Sequence, residues 1–250
     1  SKWIIDNFPD NYKEYTYLEP FCGGANVFIN KEKSKSEIIN DIDASVINIF
    51  KALRDEPKEF IRKLKYKKYS EKTFNLALLN SKQPFDDYLE FAVNELILRR
   101  MSRGGLKKAF AWSDRIRGGK PGDVNAWKTC LALLPELADR LEGVFIFNKP
   151  AIEIIQKFNK KDTLVYCDPP YVHETRISKN VYGYEMTNED HTQLANALNN
   201  FDGKVIVSGY PSTLYNKLFK EWNCVKRKVA NHSSQSKTKK IMTEYLWKNF

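Results

Sequence analysis

Four consecutive residues, Asp168-Pro169-Pro170-Tyr171, combine a carboxylate, two ring-locked residues and an aromatic ring at the end of an apolar run, 163–167. Proline cannot donate to a sheet and favours extended geometry in the residue before it, so a strand would have to end here. A carboxylate and outward-pointing carbonyls beside a flat ring suit a planar base that carries an amino group. The alternative is that Pro-Pro only ends the strand and that Asp168 caps the next segment, since short motifs recur by chance.

A glycine turn near the start of the chain is a second candidate site. Strand-forming residues 15–18 lead through Glu19-Pro20-Phe21-Cys22-Gly23-Gly24-Ala25 into the apolar start of a helix at 26–29. Paired glycines allow a tight turn and close approach to a ligand, and the helix after the turn offers free amide groups. The pattern predicts a cofactor loop, although many glycine turns connect a strand to a helix without any ligand.

An acidic residue at the end of the next predicted strand supports the cofactor interpretation. Residues 37–41 form a strand-like run that ends at Asp41, and Asp43 comes two residues later. A position about twenty residues after the glycine turn is where nucleotide-binding α/β folds hold ribose hydroxyls. The alternative is that Asp41 or Asp43 is the N-cap of the next helix.

The elements that must position these residues alternate between strand and helix. Strand-like runs occur at 144–147, 163–167 and 204–209, and helix candidates at 151–158 and 188–201, the second with Thr187 and Asp190 as an approximate capping box. This rhythm predicts a largely parallel, doubly wound α/β sheet, in which ligands bind at the carboxyl ends of the strands. We therefore expect the glycine turn, Asp41 and Asp168 at one edge. Residues 224–229 and 244–248 predict a terminal antiparallel hairpin.

Residues 54–142 differ in character from both flanks. They contain long, charged helical stretches, with apolar residues at helical spacing on both sides of a basic, glycine-rich loop at 103–122. A helical cover over one face of a sheet would explain the apolar spacing but not the basic loop. We interpret 54–142 as a helical target-recognition insertion in a catalytic domain formed by 1–53 and 143–250.

The formal net charge of +10 and the pI near 9.2 indicate a polyanionic partner. Basic residues are clustered, and Phe110 and Trp112 lie among them, which is typical of a nucleic-acid surface. The residues that we expect to contact nucleic acid are Arg99, Arg100, Arg103, Lys107, Lys108, Arg115, Arg117 and Lys120, together with Lys237 in a second cluster and His173 in the loop after Tyr171. For His173 an ordinary surface loop is the alternative.

Composition excludes several other classes of protein. Hydrophobic residues make up 42% of the 250 residues, no apolar run approaches the length of about eighteen needed for a membrane span, and the first residues lack a signal-peptide pattern. We therefore expect a soluble, cytoplasmic protein. The four cysteines show no Cys-x-x-Cys spacing and the three histidines are not paired, so neither a disulfide framework nor a metal site is expected.

Three motifs, taken in chain order, closely resemble the Dam-type family of adenine-specific DNA methyltransferases. They are Glu-Pro-Phe-x-Gly-Gly-Ala at 19–25, the second-strand Asp41, and Cys-Asp-Pro-Pro-Tyr at 167–171, and the likeness continues at 182–187 and 243–250. The resemblance implies a Rossmann-like, S-adenosylmethionine-dependent methyltransferase sheet that is mostly parallel and has a C-terminal antiparallel hairpin. It also implies transfer of a methyl group from S-adenosylmethionine to the amino group of a flipped adenine in double-stranded DNA.

The resemblance assigns a role to each motif residue. Phe21, Cys22, Gly23 and Gly24 would form the loop under the methionine part of the cofactor, with Glu19 near its amino group and Asp41, or as second choice Asp43, at its ribose. Asp168, which would also border the cofactor, and the Pro169 carbonyl would accept hydrogen bonds from adenine, with Pro170 as the rigid neighbour and Tyr171 stacking on the base. Family members usually begin with a glycine-lysine segment that helps to hold the cofactor. The sequence starts at Ser1-Lys2-Trp3, so we assign that lysine to no residue.

Other functions remain open on the sequence alone. The same tetrad could serve the amino group of cytosine, although aspartate at position 168 in this motif order favours adenine. A basic nucleic-acid-binding module without catalysis would explain the charge but not the motifs. A nicotinamide oxidoreductase is disfavoured because the full Gly-x-Gly-x-x-Gly spacing is missing. The recognition sequence, the oligomeric state and a cognate restriction endonuclease as partner are left open.

Overall fold

The computed structural model describes residues 1–84, 87–113, 115–117, 119–172, 184–230 and 241–250. The chain divides into two compact units, the first formed by Ser1–Asp43 with Phe147–Phe250 and the second by Ala44–Ile146. Sequence analysis placed the corresponding boundaries at residues 54 and 142. Assignment of the two units to catalysis and target recognition remains a prediction.

Strands and helices alternate along most of the first unit, and the elements between residues 44 and 141 in the lists that follow belong to the second unit. The strands are β1 (Thr16–Glu19), β2 (Ser36–Asn40), β3 (Ile116–Arg117), β4 (Lys120–Pro121), β5 (Phe145–Phe147), β6 (Thr163–Cys167), β7 (Lys204–Gly209), β8 (Asn223–Ala230) and β9 (Ile241–Lys248). The helices are α1 (Lys2–Ile5), α2 (Asn26–Asn30), α3 (Ala44–Asp55), α4 (Pro57–Lys65), α5 (Glu71–Asn80), α6 (Tyr88–Arg100), α7 (Gly122–Leu141), α8 (Ala151–Lys157), α9 (Asn188–Asn199) and α10 (Thr213–Leu218). Within the described residues, none of the helices is long and apolar enough to cross a bilayer.

A seven-stranded sheet has the order β5-β2-β1-β6-β7-β9-β8. β1 pairs in parallel with β2 and with β6, so that Leu18 lies opposite both Ile38 and Val165, and β6 pairs in parallel with β7. β9 runs antiparallel to its two neighbours, β7 and β8. This arrangement confirms the predicted mostly parallel α/β sheet with an antiparallel C-terminal hairpin.

The core of the first unit lies on the central strands. β6 is buried along its whole length, in agreement with its continuous apolar sequence, since both faces of a parallel sheet are covered. Val165, Val207 and Trp247 pack there with Leu194 and Leu198 of α9. The predicted capping box of α9 is present, because the Thr187 hydroxyl accepts from the Asp190 amide at 3.1 Å and the Asp190 carboxylate accepts from the Thr187 amide at 2.8 Å.

The first unit also contains a helix that the sequence pattern did not predict. α10 has only six residues, too few to show a helical period, and Ser212 caps it by accepting from the Tyr215 amide at 3.0 Å.

The second unit is helical, as predicted, and packs around Phe60, Leu64, Phe74 and Trp127. Its glycine-rich loop corrects one expectation. Sequence patterns predict only a loop at 103–122, but Ile116–Arg117 pairs antiparallel with Lys120–Pro121. Gly119, at a φ of +73°, lies in the turn between them, a backbone conformation that glycine adopts readily and that a tight hairpin turn requires.

Candidate active site

Three acidic residues lie at the carboxyl ends of adjacent parallel strands. Glu19 is the last residue of β1, Asp41 comes directly after β2, and Asp168 comes directly after β6. Because β2, β1 and β6 are neighbours that run in the same direction, their carboxyl ends meet at one edge of the sheet. The structure therefore brings the two motifs and Asp41 together as the sequence predicted.

The glycine turn between β1 and α2 has a strained and closely bonded backbone. Gly23 and Ala25 have positive φ values of 46° and 52°, and the Ala25 amide donates to the Cys22 carbonyl at 2.6 Å. No atom lies within 4 Å of the position where a side chain at Gly23 would start. A larger residue at Gly23 would thus be disfavoured by its backbone conformation and would occupy the open space beside the turn.

Asp41 fixes this turn from the neighbouring strand. One oxygen of its carboxylate accepts from the Gly23 amide at 2.8 Å, and the other accepts from the Asp43 amide at 2.9 Å. A carboxylate oxygen can accept more than one hydrogen bond, so the chemistry of Asp41 also suits a ligand hydroxyl as donor.

Asn40, which sequence analysis did not single out, holds the same edge together. Its side chain is fully buried and donates to the carbonyls of Pro20 and Lys149, each at 3.0 Å, while it accepts from the Lys149 amide at 3.0 Å. The one feature of the sequence that could have identified Asn40 is that it is a polar residue at the end of an apolar strand, directly before Asp41.

Glu19 is buried with 2% of its surface exposed. One of its oxygens accepts from the Tyr17 hydroxyl at 2.6 Å and from the Phe28 amide, in the first turn of α2, at 3.1 Å. Burial, together with the negative charge of Asp168, raises the pKa of Glu19 to about 8 in spite of the two hydrogen bonds, which oppose the change. Glu19 is therefore mostly protonated at neutral pH when no ligand cation is near.

Asp168 is accessible to solvent, but protein atoms surround its carboxyl group closely. The resulting desolvation raises the pKa of Asp168 to about 6, against hydrogen bonds from Ser208 and Tyr171, and Glu244 adds to the increase. The Ser208 hydroxyl lies 2.9 Å from one carboxylate oxygen. At neutral pH the group is mostly ionised and can act only as an acceptor.

The prolines and aromatic residues of the tetrad lie between the core and solvent. Pro169 is buried, whereas Pro170 and Tyr171 are half-buried. The rings of Tyr171 and Tyr210 are 4.8 Å apart and meet edge to face at 69°. The sequence motifs did not identify Tyr210. Its position directly after a predicted strand, at the same edge of the sheet as Asp168, is the feature that could have indicated it.

The remaining residues of the predicted cofactor loop are less exposed than Gly24, which faces solvent. Phe21 packs against the hydrophobic core, and Cys22 is buried with 5% of its surface exposed. Burial raises the pKa of both Cys22 and Cys167 well above the ordinary thiol value, so neither is a candidate nucleophile.

The predicted nucleic-acid contacts fall into two groups. Arg99 and Lys107 contact the buried carboxylate of Glu95, at 3.6 and 2.9 Å, and Arg99 also donates to the Ser45 hydroxyl at 2.6 Å. These two side chains support the fold of the second unit. The second group, Arg100, Arg103, Lys108 and Arg115, is exposed, and so are Trp112 and Ile116 in the same stretch of sequence.

Four further predicted contacts cannot be placed by their side chains. Arg117 in β3 and Lys120 in β4 are described only by their backbone, and His173 and Lys237 lie outside the described residues.

The acidic edge fits a ligand that brings positive charge. Glu19, Asp41 and Asp168 meet there in a chain whose net charge is +10, and burial raises the pKa of Glu19 and Asp168. A neighbouring cation stabilises the ionised form of such carboxyl groups. The residues therefore fit S-adenosylmethionine, which has a sulfonium and an ammonium group. In the part of the chain that the structure describes, no cluster of three His, Cys, Asp or Glu side chains could hold a metal.

Comparisons with known proteins agree with this chemistry. Residues 1–234 match the family model described as D12 class N6 adenine-specific DNA methyltransferase. The type II methyltransferase M1.LlaDCHI of Lactococcus lactis subsp. cremoris is 24% identical and aligns over 97% of this chain and 88% of its own length. The DNA N-6-adenine-methyltransferase of Escherichia phage P1 is 28% identical over 72% of this chain but only 24% of its own length.

A solved structure of a SAM-dependent methyltransferase from Agrobacterium tumefaciens covers 99% of this chain and 59% of that chain, with a TM-score of 0.42 and 9% identity. The family match, which spans nearly the whole chain, confirms the resemblance seen in the motifs and decides for a catalytic, adenine-specific protein over the alternatives. The chain belongs to the D12 class of N6 adenine-specific DNA methyltransferases.

Proposed function

We propose that methyl transfer takes place at the carboxyl edge of the first unit's sheet, with Asp168 and the Pro169 carbonyl holding the amino group of an adenine turned out of duplex DNA. The family activity is N6 methylation of adenine in DNA, with S-adenosylmethionine as the methyl donor. The strongest support for this location is that Asp168 lies at the same edge as Glu19 and the Asp41-bound glycine turn.

The protein has little covalent chemistry to perform in this reaction. The amino nitrogen of adenine is a weak nucleophile because its lone pair is delocalised into the ring. Two acceptors that hold its hydrogens out of the ring plane localise the lone pair and direct it at the reacting carbon. S-adenosylmethionine supplies an activated methyl group for in-line displacement. Orientation and a preorganised carboxylate can together lower the barrier by several kcal/mol.

The protonation state of Asp168 suits this role. With a pKa of about 6, the carboxyl group is ionised at neutral pH and accepts a hydrogen bond from the amino group. It is also basic enough to take the proton that the amino nitrogen releases once the new bond has formed. No stronger base is required.

The glycine turn and its two acidic neighbours hold the cofactor in this proposal. Phe21, Cys22, Gly23 and Gly24 lie under its methionine part, Glu19 accepts from its ammonium group, and Asp41 accepts from its ribose hydroxyls. The open space at Gly23 and the buried carboxyl group of Glu19 support these roles.

Access to the base requires that it leave the duplex, at a cost on the order of a few kcal/mol. Stacking on Tyr171 would offset about 1 to 3 kcal/mol of this cost. The exposed basic residues of the second unit would contact phosphates and contribute the salt-dependent part of the affinity. A cognate restriction endonuclease as partner, and a cytoplasmic location, remain predictions from the sequence.

Removal of the Asp168 carboxylate tests the proposal. We expect Asp168→Ala to abolish transfer of labelled methyl groups to duplex DNA, while calorimetry shows binding of S-adenosylmethionine within about fivefold of the unmodified protein, since the glycine turn and Glu19 are intact. The matched control is Asp202→Ala, an exposed aspartate just before the amino end of β7, which should stay fully active. Robust methylation by Asp168→Ala would refute the assignment.

A further inference from the structure

The hydroxyl of Ser208 occupies the centre of a buried group of oxygens behind Asp168. Ser208 has 1% of its surface exposed, and its Oγ lies 2.9 Å from Asp168 Oδ1, 3.0 Å from the Tyr166 hydroxyl and 3.2 Å from the Cys167 carbonyl. β6 and β7 pair in parallel with Cys167 opposite Val207, so the next residue of each strand places Ser208 beside Asp168. Strand register therefore fixes this contact.

Counting protons gives the direction of the hydrogen bonds. A serine hydroxyl has one hydrogen to donate and two lone pairs. Burial raises the pKa of Tyr166 far above neutral, so its phenol keeps a proton and can donate to Ser208. Ser208 then has one hydrogen for two acceptors, and the ionised Asp168 oxygen is both closer and the stronger acceptor of the two. The bonds therefore run from Tyr166 to Ser208 to Asp168.

We propose that Ser208 is a positioning residue for methyl transfer: its hydroxyl, oriented by Tyr166, anchors Oδ1 of Asp168 to β7 and so sets the direction in which the carboxylate accepts from the adenine amino group. The inference rests on the proposed role of Asp168. Neither Ser208 nor Tyr166 needs to touch the base or the cofactor for this role.

The anchor is needed because the Asp168 side chain would otherwise rotate. The final torsion of an aspartate side chain has a broad, shallow preference, so one fixed oxygen determines where the carboxylate plane points. Reactions that depend on orientation lose about a hundredfold in rate for a misplacement near 1 Å. Loss of the Ser208 hydrogen bond should therefore slow the chemical step more than it weakens binding.

The pH dependence of the reaction gives a readout that a purely structural role would not change. The hydrogen bond from Ser208 keeps the pKa of Asp168 lower than burial alone would, so its loss moves the acid limb of the rate profile to higher pH. The titratable groups that face Asp168 are Glu19 on β1, Tyr166 and Cys167 on β6, Tyr171, Tyr210, Tyr215 on α10 and Glu244 on β9. The pKa values of Tyr166, Tyr210, Tyr215 and Cys167 are raised, so these groups keep their protons at neutral pH, and the substitution leaves the side chains of Glu19 and Glu244 in place.

The experiment is single-turnover methylation of duplex DNA by Ser208→Ala at saturating S-adenosylmethionine between pH 5 and pH 9. We expect a rate at neutral pH that is lower by about tenfold or more and an acid limb that moves up by roughly half a unit to one unit, with the cofactor dissociation constant changed by less than about twofold. Tyr166→Phe should shift the limb in the same direction by less, because Ser208 remains. If Ser208→Ala does not fold, Tyr166→Phe alone decides the test.

Ser212→Ala is the matched control. It removes another buried serine hydroxyl of the same unit, the cap of α10, and should lower stability without moving the acid limb. An unchanged rate and acid limb in Ser208→Ala, or in Tyr166→Phe where that variant decides, would overturn the inference. If Asp168→Ala is inactive in the same assay, an unchanged rate and acid limb in the Ser208 or Tyr166 variant refutes only the role of Ser208. If Asp168→Ala is active, the proposed function itself fails.

Discussion

Glu19, which we propose to bind the cofactor, lowers the stability of the folded protein when it is ionised and no cation is near. Its carboxyl group is almost fully buried, and burial raises its pKa from the ordinary 4.5 to about 8. A protonated Glu19 is compatible with this environment, whereas an ionised one without a cation is not. The residue thus favours folding at low pH and ligand binding at high pH.

Glu19→Gln should make the stability of the protein less dependent on pH. The folded-state pKa lies above the unfolded-state value, so the contribution of Glu19 is complete below about pH 4.5 and is lost as the pH rises towards 8. Relative to the unmodified protein, the variant should gain on the order of 2 kcal/mol between pH 5 and pH 7.5. The free energy of unfolding in urea at both pH values measures this, with exposed Glu14→Gln as control. Equal pH dependence in Glu19→Gln and the unmodified protein would contradict the buried-carboxyl interpretation.

At the scale of elements, the edge depends on contacts between segments that are far apart in the chain. Asp41, after β2, fixes the glycine turn after β1, and Asn40 ties β1 to the segment after β5. The backbone of the turn is held before any ligand arrives. A preorganised loop loses less conformational entropy when it binds.

Asp41→Asn should therefore weaken cofactor binding. Asparagine has one acceptor oxygen instead of two and no charge, so it can accept from only one of the Gly23 and Asp43 amides and offers one acceptor fewer to the proposed ribose. We expect an affinity about tenfold lower or more, equivalent to at least about 1.4 kcal/mol, by calorimetry with S-adenosylmethionine. Asp43→Asn is the control, since Asp43 donates to Asp41 through its backbone amide, which the substitution keeps. If both variants lose the same affinity for S-adenosylmethionine, Asp43 contributes as much to cofactor binding as Asp41.

The sequence predicts elements and motif residues well because these depend on local pattern. Apolar runs, the glycine turn and the capping box at Thr187 are local, and parallel topology then places Glu19, Asp41 and Asp168 at one edge. Ser208, Tyr210 and Asn40 were missed because their roles depend on strand register and on contacts between residues far apart in the chain, such as the Ser208 bond to Asp168. The β3–β4 hairpin was missed because its strands have only two residues each, too few to show a strand pattern within the glycine-rich loop.

At the scale of the whole molecule, acidic and basic groups are collected in different units. The chain has a net charge of +10, yet its candidate active site collects carboxyl groups, while exposed basic residues occur in the second unit. We therefore expect a cationic cofactor and an anionic nucleic acid to contact different residues. The ion pairs of Glu95 with Arg99 and Lys107 remove two basic residues from the exposed set.

The double variant Arg103→Gln/Arg115→Gln should bind duplex DNA more weakly and with less dependence on salt. Each lost phosphate contact reduces the slope of log affinity against log salt by about 0.9, so the pair should reduce it by nearly two. Fluorescence anisotropy between 50 and 200 mM salt measures the slope. Lys160→Gln/Lys161→Gln, which makes the same charge change before the amino end of β6, is the control. If both double variants keep the original slope, the basic residues at 103 and 115 do not face DNA.

The burial of Cys22 and Cys167 has a practical consequence for work with the protein. Both thiols adjoin the candidate active site and are shielded from solvent, whereas Cys224 is exposed on β8, the outermost strand at its end of the sheet. A maleimide dye would therefore attach at Cys224 in preference to either site thiol. The unmodified sequence thus already provides a place for a fluorescent reporter, several strands away from the residues whose chemistry it would follow.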